Sequence, residues 1–308
     1  MDKFLGVVKM ILPVLLMLPI GMICRKTGVI KKAGVDGLKA LVVNITLPAV
    51  LFKAFYSTTY TTANIIITVT MFAVCLAALG IGFLFKRAAR LPMRTSPFLM
   101  TGFEAGMLGY ALYTLLFGAE NIASFAMVDL GQVLFVFTVF LSLLKKDESG
   151  SFGQTLQSMA KSPVLVSIVL GVIIGATGLG AQLGSTPDGD IISHAFDFIA
   201  APTAVVILFV VGYELQFSLA GIGAALAAVF SRFVVMALLG AAVIFGLGAL
   251  MPMSENLKWA FVLMFMLPPP YVLPVYVADD SESAFVSTTL SLSTVLSLAA
   301  FAVIAALA

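Results

Sequence analysis

Apolar runs about as long as a membrane is thick alternate with short polar connections along the whole chain. A helix needs ~20 residues to cross the hydrocarbon core of a bilayer. Ten segments approach or exceed that length: 4–24, 37–56, 64–85, 96–118, 122–144, 163–182, 192–215, 221–250, 257–278 and 285–307. The pattern predicts an all-α polytopic membrane protein with ten transmembrane helices. The ninth cannot be continuous. Pro268, Pro269 and Pro270 are consecutive, so the carbonyls of Met264, Phe265 and Met266 lose their helical donors, and Pro274 does the same to Pro270. Freed carbonyls are tolerated at membrane depth only where they face protein or a watery cavity. Three prolines in a row therefore predict a break, not a kink.

The breakers recur. Pro13, Gly21, Thr27 and Gly28 in and after the first segment match Pro163, Gly171, Thr177 and Gly178 at one offset of 150 residues. Pro48 and Pro202 sit at the centres of the second and seventh segments, and Gly102–Gly109 in the fourth answers Pro268–Pro270 in the ninth. Matching breakers predict two five-helix repeats, 1–144 and 163–308, joined by a linker at 145–162. Five is odd, so the second repeat enters the membrane inverted. Inverted repeats with interrupted helices at corresponding positions point to a transporter and to a binding site near the midplane.

Charge sets the orientation. Arg25, Lys26, Lys31 and Lys32 lie in the first connection, Lys86, Arg87, Arg90 and Arg94 in the third, and Lys145, Lys146 and Lys161 in the fifth. Basic connections stay cytoplasmic, which places both termini outside the cell and makes the linker cytoplasmic. The second half adds little, since its seventh and ninth connections are acidic (Glu214; Asp279, Asp280 and Glu282). Only 10% of residues are charged and 61% are apolar, with a mean hydropathy of +1.13. A soluble domain carries about 25% charged residues, so soluble classes are excluded, and no basic patch calls for nucleic acid. Cys24 and Cys75 lie in apolar runs and read as small hydrophobes. The first apolar run is too long for the core of a cleavable signal and meets Arg25 and Lys26 at once.

Few ionisable residues lie deep inside the apolar runs. Glu104 does, and a charge there costs ~2.5–3.5 kcal/mol on insertion scales, so such residues commonly line a pathway or relay protons. The alternative is a protonated acid bonded to a neighbouring helix. Gly102, Gly106 and Gly109 around it suit either close helix packing or an unwound crossover with backbone N–H groups facing a site. Asp129 is the second intramembrane carboxylate, with Gln132 three residues on and thus on the same helix face. It is placed to pair near Glu104, coordinate a cation or bond a freed carbonyl. Tyr110, Tyr113, Tyr271 and Tyr276 flank the breaks, where a buried hydroxyl needs a partner; at the interface they would be anchors. Asn44 and Thr46, just before Pro48, are polar enough to line a path. Arg232 lies in an over-long segment and is expected to snorkel to the cytoplasmic surface, as Lys53 is at the outer end of the second segment. His194, with Asp190 and Asp197 one turn away on either side, is expected to be solvated. Metal-binding and hydrolytic motifs are missing from the sequence, so neither an enzyme nor a metal site is expected.

The stretches RKTGVIKK (25–32), VNITLPAVLF (43–52), VDLGQ (128–132) and APTAVVILFVVGYEL (201–215) resemble the auxin efflux carrier family, within the bile acid/sodium symporter-like superfamily. The likeness extends over essentially the whole chain. It implies ten helices in two inverted repeats, with helices 1, 2, 6 and 7 as a scaffold that often forms a homodimer face. Helices 3–5 and 8–10 would be a transport domain in which broken helices 4 and 9 cross. The implied task is movement of small organic anions. Where the family's fourth helix tends to carry an asparagine, this chain has Glu104, which would repel an anion unless it is protonated or paired with a cation.

The expectation is a secondary transporter in the plasma membrane, carrying a small organic solute such as a carboxylate by alternating access, with proton or sodium coupling and no cofactor. Its expected substrate-binding residues are Asn44, Thr46, Gly106, Gly109, Tyr110, Tyr113, Pro269, Pro270 and Tyr271. The expected coupling residues are Glu104, Asp129 and Gln132, with Met264 and Met266 contributing carbonyls. The alternative is a membrane sensor or structural subunit that keeps a transporter fold without transporting.

Overall fold

The computed structural model describes residues 2–58, 60–89, 93–144, 161–184, 186–216, 218, 222–277 and 280–308. Arg90, Lys145, Lys146, Asp279 and nearly all of the expected linker 145–162 lie outside the described residues. Every regular element among the described residues is helical. The first, α1 (Asp2–Thr27), ends where the Thr27 hydroxyl folds back on the Ile23 carbonyl at 2.9 Å and Gly28 turns the chain at φ 71°. After it come α2 (Lys32–Tyr56) and α3 (Thr62–Ala88). The Thr61 N–H donates to Asn64 Oδ1 at 3.1 Å at the start of α3, satisfying a donor the helix itself cannot. Pro48 leaves its mark on α2: residues Val42–Thr46 form a π turn, and the Leu47 N–H reaches back five residues to the Val42 carbonyl.

Further along are α4 (Tyr110–Phe117), α5 (Ala119–Leu144), α6 (Pro163–Ala176) and the short α7 (Leu179–Gly184). Then α8 (Pro187–Ala200) and α9 (Thr203–Glu214) run on from one another with a step at Pro202. The chain ends with α10 (Ile222–Leu250), α11 (Glu255–Met266) and α12 (Asp280–Leu307). Six helical stretches among the described residues are long and apolar enough to cross a membrane: α2, α3, α5, Gly189–Glu214, α10 and Glu282–Leu307. The molecule is a multi-pass, all-helical membrane protein.

Two helix crossings are unusually close. α1 lies along α9, and the second half of α2 lies along α6. At the first crossing a Cβ on Gly21 would sit 2.2 Å from the Phe209 carbonyl oxygen. At the second, a Cβ on Gly171 would sit 2.8 Å from the Cβ of Phe55 and 3.0 Å from the Phe52 carbonyl oxygen. These are the two glycines found 150 residues apart, and each lets its helix rest on a partner's backbone. Against this layer stands a second group, in which α3 packs on α5, α10 on α12, and α11 on both α5 and α10. Phe103 and Phe265 meet edge to face at 5.4 Å where the interrupted segments approach each other.

Candidate functional site

Both expected interruptions are present. In the fourth segment a short turn at Phe98–Met100 gives way to non-helical backbone over 101–104, then a π turn at Ala105–Gly109 leads into α4. Gly102 there has φ 68°, a conformation open to glycine and strained for other residues. In the ninth, α11 stops at Met266, residues 267–270 are non-helical, and a short 3-10 turn follows at Leu273–Tyr276. The two interruptions touch. The Pro270 ring covers Gly102 so closely that a Cβ on the glycine would lie 2.9 Å from it.

Glu104 joins them. Its N–H donates to the Pro268 carbonyl at 2.9 Å. Its Oε1 accepts the Met107 N–H at 3.0 Å and its Oε2 accepts the Tyr271 N–H at 2.5 Å. Tyr271 carries the first N–H after the three prolines, and Met107 lies in the opening turn of its own half-helix. The carboxylate thus caps both outgoing chains at once.

Arg232 corrects the expectation of snorkelling. It is only 4% exposed, and its guanidinium donates to the carbonyls of Leu99 at 3.0 Å, Gly102 at 2.6 Å and Leu267 at 3.1 Å. Two of these acceptors belong to the first interruption and one to the second. The guanidinium also lies 5.5 Å from the centre of the Phe103 ring. Carbonyls that non-helical backbone leaves unpaired are thus what hold the charge inside the protein. Others find different donors. Met264 O takes the Leu267 N–H at 3.1 Å, Met266 O takes Ser297 Oγ at 2.5 Å, and Pro270 O takes the Leu273 N–H at 3.3 Å. The Met264 and Met266 carbonyls, expected as coupling ligands, therefore already have protein donors.

Asp129 forms a second polar knot beside the first. Its Oδ2 accepts Tyr110 Oη at 3.0 Å, its Oδ1 accepts Gln132 Nε2 at 3.0 Å, and the same Nε2 reaches the Phe103 carbonyl at 3.2 Å. The Oε1 of Gln132 is buried without a partner. Tyr271 Oη shares a hydrogen bond of 2.8 Å with Thr294 Oγ1. Gly106 lies against Leu47 of α2, and Gly109 packs between Phe125 and Leu267. Pro269 is buried with Pro270.

Two expected residues lie elsewhere, and a third makes no polar contact. Tyr113 is buried against Phe125 and Phe117 and donates to the Asn256 carbonyl at 2.9 Å, tying α4 to the start of α11. Asn44 is exposed and bonds its own helix at Ala40 O. Thr46 is buried, but its hydroxyl has no partner. His194 is exposed beside Asp190, while Asp197 pairs instead with Lys53 at 2.5 Å.

Two cavities flank the interruptions. One, about 210 Å³, is lined by Lys39, Glu214, Gln216, Tyr271, Ser291 and Thr294 among others. The other, about 250 Å³, is lined by Lys53, Asp197, Thr203, Tyr110 and Thr114 with apolar neighbours. Lys39 and Lys53 are 14 residues apart on α2, about 21 Å at 1.5 Å per residue, and Leu47 between them faces Gly106, so along α2 the cavities lie on opposite sides of the first interruption. Sequence reasoning overlooked Lys39, Ser291 and Thr294. The signal was there in the last segment, where Ser287, Ser291 and Thr294 recur at helical spacing in an apolar run.

A comparison with curated proteins finds no match. A family model described as membrane transport protein matches residues 6–305, nearly the entire chain. That extent takes in both interrupted segments and both cavities, and the family is one of membrane transporters and not of enzymes. The chain belongs to this membrane transport protein family, the membrane transport domain of the auxin efflux carriers.

Proposed function

We propose that this protein is a secondary transporter of the plasma membrane that carries a small organic solute, such as a carboxylate, by alternating access. One observation carries the reading: two unwound segments meet at Glu104 between cavities on opposite sides. In this reading ten membrane segments form inverted repeats, 1–144 and 163–308, joined by a cytoplasmic linker at 145–162. The close α1–α9 and α2–α6 crossings, made by glycines at matched positions, support that symmetry. Segments 1, 2, 6 and 7 are the scaffold and offer a homodimer face, while segments 3–5 and 8–10 move. The basic first connection puts the cavity at Lys39 on the cytoplasmic side and both termini outside.

Substrate contacts in this scheme are Tyr271 on one side, Tyr110 on the other, and the Gly106 and Pro269–Pro270 backbone between them. Glu104 carries the coupling, with Asp129 and the unpartnered Gln132 oxygen as the neighbouring proton or sodium site; no cofactor takes part. The test is uptake by proteoliposomes across imposed pH and sodium gradients, comparing Glu104→Gln with the parent. Uptake driven equally well by the gradient in the variant would remove Glu104 from coupling. The variant's folding is checked alongside, because a glutamine supplies one acceptor where the carboxylate serves two N–H groups.

A further inference from the structure

The two cavities share a chemistry that the crossing point alone does not explain. Each has one ammonium and one carboxylate in its wall, and in each the two are paired with one another. In the first cavity Lys39 Nζ bonds Glu214 Oε1. In the second Lys53 Nζ bonds Asp197 Oδ1 at 2.5 Å. In both, the lysine comes from α2 and the acid from the α8–α9 stretch. All four side chains are partly exposed, between 27% and 47%, and ion pairs of that exposure hold together weakly. A ligand can therefore replace either partner at little cost.

We infer that the transported solute is a small zwitterion bearing both a carboxylate and an ammonium, of the α-amino acid class, which takes the place of these ion pairs. This deepens the transporter reading above and rests on it. A monoanion in the second cavity would engage Lys53 but leave Asp197 unpaired beside its own charge, and in the first it would leave Glu214 only the exposed Lys32, 3.7 Å away. A monocation would take the carboxylate from Lys53 or Lys39. A zwitterion satisfies both, and it meets the same pair of charges on the other side of the crossing. Volumes of about 210 and 250 Å³ fall below the ~300 Å³ at which drug-sized pockets begin, which suits an amino acid. Further polar groups are ready. Thr203 Oγ1 in the second cavity is buried without a partner, and Ser291 and Thr294 line the first. A net-neutral solute also passes the fixed carboxylate of Glu104 without the repulsion an anion would meet.

The test measures ligand-dependent thermal stabilisation of the full-length protein in detergent, using matched triads: L-alanine with L-lactate and ethylamine, and L-phenylalanine with L-phenyllactate and phenethylamine. The amino acid should stabilise saturably, with the hydroxy acid and the amine roughly tenfold or more weaker, as expected for one lost charge-assisted contact. Glu214→Gln should move the preference toward the hydroxy acid and Lys39→Gln toward the amine. A pair that merely staples two helices would lower stability in both variants without moving any preference. The inference is overturned if the hydroxy acid or amine matches the amino acid on the parent, if both variants keep the parent's preference, or if no amino acid stabilises. Gradient-driven uptake of other solutes in liposomes would retire the zwitterion alone, whereas amino-acid binding without flux would retire transport alone.

Discussion

Replacing Arg232 by methionine keeps much of the side chain's bulk and removes its donors. Three buried carbonyls, on Leu99, Gly102 and Leu267, then lose their partner. Each buried polar group left unsatisfied costs about 1–3 kcal/mol, a gross loss of roughly 3–9 kcal/mol. Part returns because a charge no longer has to be held away from water, and part because the two segments relax. A net cost near 3 kcal/mol is expected, concentrated where the interruptions meet. Hydrogen exchange reads it directly. The amides of Glu104, Met107, Gly109 and Tyr271 are all bonded at this junction, and 3 kcal/mol corresponds to exchange roughly a hundredfold faster. Amides within α3 away from the junction should be unchanged. Arg232→Lys, whose compact ammonium lacks the planar fork, should fall between the parent and Arg232→Met. Protection of the four amides within about threefold of the parent, in a folded Arg232→Met protein, would refute the clamp.

Ser297→Ala strips the Met266 carbonyl of its hydroxyl donor and should cost about 1–2 kcal/mol, read as a lowered unfolding midpoint in detergent; no change would mean that water replaces the hydroxyl. Tyr110→Phe removes the donor on Asp129 Oδ2, at about 1 kcal/mol, and should alter the sodium or pH dependence of uptake more than it alters folding. Gly21→Ala places a Cβ 2.2 Å from the Phe209 carbonyl oxygen, so α1 must move off α9; monodisperse protein should be lost on size exclusion, whereas Gly37→Ala, which meets nothing within 4 Å, should behave as the parent.

How much of this was legible beforehand varies from residue to residue. The break at Pro268–Pro270 was legible from covalent chemistry, because a proline has no N–H to give. Gly21 and Gly171 were visible as a matched pair through their spacing, and Glu104 and Asp129 stood out because carboxylates are rare in apolar runs. Arg232 was misread because an over-long apolar segment offers a route to the surface, and nothing local shows that carbonyls wait for it in the core. Met264 and Met266 looked open because only their own helix could be consulted; their donors, Leu267 and Ser297, depend on how the chain turns and on a different helix. Tyr113 was near a break in sequence yet points toward α11, since position within a segment does not determine which face a side chain presents.

Sequence by itself determined that the chain is built of apolar helices of membrane length and where they must fail, because apolar length and missing donors are local properties. Tertiary structure alone decided which groups answer the failures. Arg232 meets the Gly102 carbonyl across 130 residues, and Lys39 meets Glu214 across 175. Hydrogen bonds and ion pairs depend on distance in space, and that distance is set by how whole helices pack.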